Sequence, residues 1–280
     1  MNKKRLVKIV TFIAVLMLLS GCKATNNNEL ISLETPFSSA VEEGFFTAIL
    51  TYPLSQAINY LAQYMSVAIA IAIVATGLNV FVLALTFKSN ISMQRMQQIQ
   101  PEINKIQKKY EGRTDQNSQM RMSAEIQQIY QRNDINPVGS LAATFLQLPI
   151  LLSMYSAVRR SYAVTNGSFF GYSLSIHPLT AIKELAWPLI LVFLLMVVCQ
   201  FLSIACPRFL SERRARKEAD LHHRHYEKQK DPNSVMSYSM VLFIGFIMLN
   251  WPTALSLYYL IYSLINITKT VIIDNIVNKK

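Results

Sequence analysis

The sequence predicts an all-α, polytopic membrane protein, and three observations support that fold class. Of the 280 residues, 52% are hydrophobic and 15% are charged, whereas soluble domains carry about 25% charged residues. The hydrophobic residues lie in runs of bilayer length that polar segments separate. The basic residues gather before, between and after these runs, which is the asymmetry of the positive-inside rule.

The net charge of +11 is therefore interpreted mostly as a topology signal. Basic residues concentrate before the first apolar run, in 88–132, in 208–230 and at the C-terminal Lys269, Lys279 and Lys280. These segments are expected in the cytoplasm. Specific DNA binding is not expected, while contact of the basic loops with the ribosome is compatible with their charge.

Residues 1–22 predict a lipoprotein signal peptide, because a basic start, a short apolar core and a small-residue site follow one another. The end of this segment, Leu19-Ser20-Gly21-Cys22, resembles the bacterial lipobox. In that motif Cys22 is acylated (palmitate) through its sulfur and becomes the mature N-terminus. An uncleaved anchor with an incidental cysteine is the alternative. The lipid would position the chain rather than retain it, since the spans already hold it in the membrane.

The next two segments are expected outside the cytoplasm. Residues 23–43 are polar and predict an extracytoplasmic tether. Residues 44–61 predict an amphipathic helix, because apolar residues recur at steps of three and four from Phe46 to Leu61. This helix suits the outer membrane interface, and packing against the helical bundle is the equally simple alternative.

Residues 62–275 form the predicted core, with the N-terminus outside, the tail 276–280 inside, and a cytoplasmic loop over 206–234. Pro207 is expected to end the third span. The fourth is short enough to require bilayer thinning or shelter by its neighbours. Arg159 and Arg160 follow the second span on the outer side, mildly against the charge rule. The five spans are expected at about 66–87, 138–157, 185–205, 235–249 and 253–272.

Residues 88–136 predict a cytoplasmic antiparallel helical hairpin. Two apolar seams with coiled-coil spacing lie on either side of a polar turn at 111–115. Pro101 kinks or restarts the first arm. The first seam consists of Met96, Ile99, Ile103, Ile106 and Tyr110, and the second consists of Met122, Ile126 and Ile129.

The residues that usually carry enzyme chemistry do not form a recognisable site in this sequence. The three cysteines exclude a disulfide framework, and Cys199 and Cys206 suit apolar packing. His222, His223 and His225 lie in a basic loop without a cysteine partner, so a solvated loop is favoured over a metal site. We therefore expect no enzyme, no cofactor and no metal.

The informative polar residues lie within the predicted spans, at helical spacing. For any single serine or threonine, hydrogen bonding between helices at about 0.6 kcal/mol is the favoured interpretation. For the whole set a shared polar cavity is favoured, because the spans are expected to contain no ionisable side chain. The candidate residues are Thr76, Asn79, Thr144, Gln147, Gln200, Ser203, Thr253, Ser256, Tyr259 and Ser263.

Several motifs resemble the YidC/Oxa/Alb family of membrane protein insertases, and specifically the lipoprotein-type members of Gram-positive bacteria. They are the helix Met96–Tyr110, Asn136-Pro137, Gln147-Leu148-Pro149-Ile150 and the segment WPTALSLYY from Trp251 to Tyr259. The last segment is similar to the family pattern FPxGLxLYW. The resemblance extends from about Phe45 to Asn275.

This resemblance implies a five-span core around a hydrophilic groove that is open to the cytoplasm and to lipid. It implies assisted insertion and chaperoning of nascent membrane proteins without nucleotide hydrolysis, and it makes the ribosome and the Sec translocon candidate partners. The hydrophobic part of a substrate would enter lipid along the third and fifth spans. A cytoplasmic hairpin would receive substrates; here its residues would be Met93, Met96, Ile99, Pro101, Ile103, Ile106 and Met122.

One departure from the family pattern concerns the groove. Family members usually have an arginine nine residues before the basic residue that ends the first span, and the corresponding residue here is Asn79. The family proline five residues further on is replaced by Ala84. Either the chain accepts less acidic substrates, or Asn79 and its neighbours hydrate the groove sufficiently.

Two other functions remain open at this stage. A small transporter would be expected to show intramembrane ionisable residues and internal repeats. A dedicated assembly factor for one membrane complex would use the same fold, and the adaptable Met-rich hairpin fits it equally well.

Overall fold

A computed structural model describes residues 29–221 and 233–278 of the chain, and the described part consists of helices joined by short turns. Three helical segments, Val67–Gln98, Trp187–Arg214 and Thr253–Ile276, are long and apolar enough to cross a membrane. The predicted class, an all-α polytopic membrane protein, is therefore confirmed. The number of spans stays a prediction. The signal peptide with Cys22 and the three loop histidines lie outside the described residues.

The helices follow one another along the chain with few long connections. A π-helical turn at Thr47–Thr51 leads directly into the second α-helix, and Tyr238–Met248 is the apolar part of the tenth. The helices are α1 (Phe37–Glu43), α2 (Tyr52–Leu61), α3 (Val67–Gln98), α4 (Gln100–Lys109), α5 (Gln116–Arg132), α6 (Pro137–Arg160), α7 (Tyr162–Asn166), α8 (Pro178–Lys183), α9 (Trp187–Leu221), α10 (Asn233–Met248) and α11 (Thr253–Asn278).

Residues 29–74 and 150–175 belong to one compact unit, and part of the predicted tether is built into it. Ile31 is only 2% exposed, and its backbone N–H donates to the Arg160 carbonyl at 2.6 Å. Its carbonyl accepts from the Tyr162 N–H at 3.1 Å and from the Asn59 side-chain amide at 2.6 Å. Ile31 thus fixes this largely polar segment to the unit, which the polarity of the sequence alone did not indicate.

Arg160, which stood against the charge rule, is neutralised within this unit. Its guanidinium donates two hydrogen bonds to the Glu43 carboxylate, at 2.5 and 2.7 Å. Both side chains are about nine-tenths buried, so the pair behaves as one neutral, planar group. The exception to the charge rule therefore has a local physical explanation.

The segment predicted as an interfacial helix is helical, and its buried side is small and polar. Ala48, Thr51, Ser55 and Asn59 are buried together with Ile58. The Ser55 hydroxyl donates to the Ala157 carbonyl at 3.3 Å. Small residues allow the backbones of two helices to approach closely. These contacts favour packing against the protein, the alternative considered for this segment.

The second compact unit comprises residues 75–149 and 176–278, and its long helices extend beyond the predicted spans. Helix α9 continues through Pro207 to Leu221, because one proline removes a single backbone hydrogen bond without forbidding further helical turns. Helix α11 continues to Asn278. Lys269, which falls within the predicted span 253–272, lies inside the apolar segment Thr253–Ile276, so the expectation that the spans contain no ionisable side chain is wrong.

Helices α4 and α5 pack against each other around a small apolar core. Helix α3 ends at Gln98 and α4 begins at Gln100, with Pro101 in its first turn, so the proline restarts the helix. At the far end of α4, Lys109 and Tyr110 both contact the Glu125 carboxylate, at 2.7 and 2.8 Å. The core consists of Ile99, Ile103 and Ile135, and Met96, Ile126, Ile129 and Tyr130 pack against it.

Candidate functional site

One side of helix α3 carries a row of buried polar side chains. Asn79, Thr86, Asn90 and Gln94 are each 7–8% exposed, and their steps of seven, four and four residues place them on one face. The Asn79 side-chain amide donates to the Ala75 carbonyl at 2.7 Å. Thr86 and Asn90 also donate to carbonyls of their own helix. The predicted set contained only Asn79 of this row: Thr86 lay within the predicted span but was not selected, and Asn90 and Gln94 lay beyond its predicted end.

Asn79 meets polar groups of two other helices at the Tyr258 cluster, which we define as Asn79 of α3, Gln147 of α6 and Tyr258 of α11. The Tyr258 ring is fully buried, and its hydroxyl lies beside the Asn79 and Gln147 side chains. The Tyr258 hydroxyl and the Gln147 side-chain nitrogen are buried, yet neither makes a well-aligned hydrogen bond with the described residues. The cluster thus contains buried polar atoms that are close together but not joined by well-aligned hydrogen bonds.

Aromatic rings extend the Tyr258 cluster along α11. The ring centroids of Tyr258, Tyr259 and Tyr262 lie 5.5–6.5 Å from one another, a distance typical of favourable aromatic contacts. Tyr259, a predicted site residue, is 6% exposed and belongs to this aromatic group. The three rings therefore pack against one another next to these buried polar atoms.

Three other predicted residues fasten α9 to α11. The Ser263 hydroxyl donates to the Gln200 side-chain oxygen at 2.5 Å, and the Asn266 amide donates to the Ser203 hydroxyl at 2.5 Å. Both pairs are 63 residues apart, and a constant offset means that the two helices run in the same direction. Gln200, Ser203 and Ser263 therefore serve interhelical packing.

The remaining predicted residues lie elsewhere. Thr76 is exposed although Asn79 is buried, so the structure does not bring Thr76 into the cluster. The Thr253 hydroxyl donates to the Ile176 carbonyl at 2.6 Å and fixes the start of α11. The Ser256 hydroxyl is buried without a partner among the described residues. Residues two positions apart on a helix do not share a face, so Ser256 points away from the Tyr258 ring. The side chain of Thr144 lies outside the described part.

Helices α3 and α11 are joined differently from α9 and α11. The backbones of α9 and α11 pack together extensively, whereas α3 and α11 have few or no close backbone approaches. Long side chains bridge α3 and α11 instead, at Asn79 and Tyr258 and again at Gln94 and Asp274. The two helices are therefore separated, with buried polar side chains along the α3 side.

The residues predicted to receive substrate on the hairpin divide into two groups. Ile99 and Ile103 form the core of the hairpin and are therefore inaccessible. The other five, Met93, Met96, Pro101, Ile106 and Met122, are half-buried. An open surface cavity of about 530 Å³ lies at the base of the hairpin, lined by Ser123, Ile126, Gln127, Tyr130, Gln131, Ile135, Asn136 and Pro137.

The described residues contain no group of three His, Cys, Asp or Glu side chains placed to hold a metal ion. Cys199 and Cys206 are half-buried free thiols.

Comparison with known proteins shows which family shares this architecture. Residues 58–280 match the sequence profile of the family described as "60Kd inner membrane protein". The chain is 26% identical over 273 residues to the membrane protein insertase MisCA of Bacillus subtilis, covering 97% of this chain and 92% of the relative. It is 28% identical over 274 residues to a membrane protein insertase YidC of Oceanobacillus iheyensis, covering 97% of both chains. A membrane protein insertase YidC 2 of Bacillus anthracis is 32% identical over 174 residues, 61% of this chain and 64% of the relative.

Proposed function

The chain belongs to the 60Kd inner membrane protein family, and from that membership we propose that it is a membrane protein insertase and chaperone. The relatives named as insertases match nearly the whole chain. The chain is a multi-pass protein of the cell membrane, in keeping with its long apolar helices. The proposal concerns how the described residues would assist insertion.

The observation that supports a binding role most directly is the state of the Tyr258 cluster. A buried polar atom that lacks a hydrogen bond costs about 1–3 kcal/mol. Here the Gln147 nitrogen and the Tyr258 hydroxyl are buried next to Asn79 without a well-aligned hydrogen bond, so part of that cost applies to them. A hydrophilic peptide segment, with the water it brings, would satisfy these atoms. Binding would therefore lower the free energy of both the segment and the site.

We propose that such a segment enters between α3 and α11, where side chains rather than backbones join the two helices. The polar row on α3 runs from Asn79 to Gln94, about 22 Å at the helical rise of 1.5 Å per residue. We propose that this row lines a polar groove that accepts the hydrophilic part of a nascent protein. Asn79 is polar but uncharged, so this part of the groove would favour less acidic segments.

The hydrophobic part of the substrate would enter lipid along α9 and α11. Both helices present large apolar side chains on their exposed sides, and a substrate helix could pack there while still in contact with lipid. No step in this process uses nucleotide hydrolysis. The exposed residues include Leu191, Leu194, Val198 and Phe201 of α9 and Leu264, Val271 and Ile272 of α11.

The topology and the partners are part of the same proposal. We place the N-terminus outside with a lipid on Cys22, and the C-terminus and the α4–α5 hairpin in the cytoplasm. Nascent membrane proteins are the substrates, and the ribosome and the Sec translocon are candidate partners. Because Ile99 and Ile103 form the hairpin core, substrates would meet its outer surface, where Met120 is 63% exposed.

The test is complementation in a Gram-positive host depleted of its own insertase. The natural chain and its Asn79→Ala variant are each expressed, and protease accessibility reports insertion of a single-span substrate. We expect the natural chain to restore insertion and Asn79→Ala to restore less of it. Asn79→Arg should improve insertion of substrates with acidic tails, and unchanged insertion of those substrates would count against the role given to Asn79.

Two outcomes would point to other functions. A well-expressed natural chain that rescues no substrate would exclude a general insertase. Loss of a single membrane complex after depletion of this protein in its own host, with other membrane proteins unaffected, would indicate the dedicated assembly factor. Thr76→Ala is the matched control for Asn79→Ala, because Thr76 is exposed on the same helix.

A further inference from the structure

A row of hydrogen-bond donors lies on one face of helix α2. Its members, Tyr52, Gln56 and Asn59, are four and three residues apart, so their side chains share one side of the helix. All three donate to backbone carbonyl oxygens of the segment 29–35. The bonds are Tyr52 Oη to Thr35 at 2.8 Å, Gln56 Nε2 to Ser32 at 2.7 Å and Asn59 Nδ2 to Ile31 at 2.6 Å.

The same segment is bound on its other side by the chain that joins α6 to α7. The Ile31 N–H donates to the Arg160 carbonyl at 2.6 Å, and the Tyr162 N–H donates to the Ile31 carbonyl at 3.1 Å. Ile31 thereby forms a parallel β-bridge with Ser161. The Arg160 Nε donates to the Glu29 carbonyl at 3.1 Å. We define the tether site as the three donor side chains of α2 together with residues 160–162.

The tether site recognises an extended backbone and one apolar side chain. Its hydrogen bonds to the segment all end on main-chain atoms. Ile31 is 2% exposed, whereas Leu30 and Leu33 are 40% and 41% exposed. When a peptide is bound in this way, main-chain hydrogen bonds provide affinity and a side-chain pocket provides specificity. The site therefore suits other extended segments that carry one isoleucine or valine.

The walls of the tether site are held by contacts that do not involve the segment. The Asn59 side-chain oxygen accepts from the Ser161 hydroxyl at 2.7 Å and from the Ala163 N–H at 3.0 Å, which leaves the Asn59 nitrogen directed toward the segment. The Arg160 guanidinium is fixed by the Glu43 carboxylate. A site that is already in its binding geometry loses less entropy when it binds a ligand. The tether site is thus preorganised whether or not this segment occupies it.

We propose that the tether site is a peptide-binding site, which the segment 29–35 occupies until an extended segment of an inserted protein replaces it. This inference rests on the proposed insertase function and on the proposed topology, in which the site lies outside the cytoplasm. It gives the chain a receiving site for the part of a substrate that has already crossed the membrane. The segment 29–35 is an internal competitor, and a substrate replaces it because it presents the same main-chain groups and one apolar side chain.

The first test measures binding of a fluorescent synthetic peptide with the sequence of residues 29–36 to the purified full-length protein in detergent. Ile31→Asp removes the apolar anchor of the internal competitor. We expect this variant to bind the peptide about tenfold more tightly than the natural chain, which has a vacant site for only a fraction of the time. Ile31→Ala is a milder change that should give an intermediate affinity, and it serves if Ile31→Asp does not fold.

Altered peptides test the mode of recognition. Methylation of the isoleucine nitrogen removes the donor to the Arg160 carbonyl, and replacement of the isoleucine by aspartate removes the apolar anchor. Each change should reduce binding to Ile31→Asp below detection. Equal binding of the natural and the methylated peptide would contradict main-chain recognition and overturn the inference.

Variants of α2 locate the peptide on the protein. Tyr52→Phe and Gln56→Leu, introduced together into Ile31→Asp, remove two donors and should weaken peptide binding about tenfold. Tyr60→Phe is the matched control, because Tyr60 lies on the same helix and is 55% exposed. It should leave the affinity unchanged. An unchanged affinity in the double variant as well would exclude binding at the tether site.

The second test captures a substrate during insertion into vesicles. A photoreactive amino acid replaces Tyr162, whose side chain is 54% exposed beside the site. Two versions of one single-span substrate differ at a single position of the segment that crosses the membrane, which is isoleucine or asparagine. We expect crosslinks to the isoleucine version, more of them in Ile31→Ala, and few to the asparagine version.

Two further results would overturn the inference. Failure of the peptide to bind folded Ile31→Asp or Ile31→Ala would show that the segment 29–35 is a fixed part of the fold. Crosslinks that are absent, or equal for the two substrates, while both substrates insert would show that the site does not receive substrates. Failure of the natural chain to insert either substrate, with peptide binding intact, would instead contradict the proposed function.

Discussion

Two interfaces of helix α11 use similar polar residues in opposite ways. Toward α9, Ser263 and Asn266 each hydrogen-bond a side chain of the neighbouring helix at 2.5 Å. At the Tyr258 cluster, the Tyr258 hydroxyl and the Gln147 nitrogen remain without well-aligned partners. The first interface is closely packed, and α3 and α11 are not. Residue type and spacing are therefore poor guides to role, and we propose that hydrogen-bond satisfaction distinguishes the packing interface from the binding site.

The energies involved explain why both arrangements persist. A hydrogen bond between membrane helices contributes about 0.6 kcal/mol, so Gln200 and Ser263 stabilise packing only modestly. An unsatisfied buried polar atom costs about 1–3 kcal/mol. Such an atom in a native protein requires an explanation, and we propose that a bound substrate segment satisfies it. Variants of the Tyr258 cluster should therefore change insertion activity, and variants of the interface between α9 and α11 should change stability.

The largest effect is expected on activity at the Tyr258 cluster. Gln147→Leu removes the unsatisfied amide, and insertion of a hydrophilic tail should fall about tenfold because the tail loses one or two hydrogen bonds in a low-dielectric site. Thermal stability in detergent should stay equal or rise. Tyr258→Phe, which retains the ring, should act in the same direction with a smaller loss. Unchanged insertion in both variants would remove the cluster from the substrate path.

A smaller effect of the opposite kind is expected between α9 and α11. Ser263→Ala leaves the Gln200 side-chain oxygen without its donor, and thermal unfolding in detergent should report a loss of about 1 kcal/mol. Insertion by the folded protein should be unaffected. Adding Gln200→Leu should recover most of the stability, because both partners are then apolar. If Ser263→Ala lowered insertion without lowering stability, this interface too would belong to the substrate path.

The smallest effect is expected away from both interfaces, at the start of α5. The Asp115 carboxylate accepts a hydrogen bond from the Ser118 N–H at 2.8 Å, which lowers the pKa of Asp115 below its usual 3.8. The stabilisation is therefore complete above 3.8 and lost as the pH falls through the lowered pKa. Asp115→Ala should speed hydrogen exchange in the first turn of α5 at neutral pH. Asp115→Asn retains an acceptor and should change it less.

The sequence was sufficient for the fold class and for the approximate positions of the long helices, because both depend on composition and local periodicity. It did not predict which polar residues meet, since that depends on the relative register of helices far apart in the chain. Gln94 contacts Asp274 across 180 residues, and neither residue was in the predicted set. Thr76 and Asn79 differ in burial although they are three residues apart, because the neighbouring helices determine which side of α3 is covered.

Other differences between the sequence-based predictions and the structure have local causes. Treating Lys88 as the end of a span hid Asn90 and Gln94, which continue the spacing of Asn79 and Thr86. Counting Lys269 with the C-terminal tail hid a cation inside α11. The polar character of residues 23–43 also gave no indication that Asn59 and Arg160 hold Ile31 by hydrogen bonds.

The shared direction of three helices has an electrostatic consequence. The constant offset between α9 and α11 shows that they are parallel, and α3 meets α11 at nearly constant offsets, at Asn79 with Tyr258 and at Gln94 with Asp274. Each helix dipole contributes about −0.5 of an elementary charge at its C-terminal end. Aligned dipoles add, so the C-terminal ends of the three helices together attract cations. Arg95, in the last turn of α3, is placed to compensate this field, which the backbone itself creates.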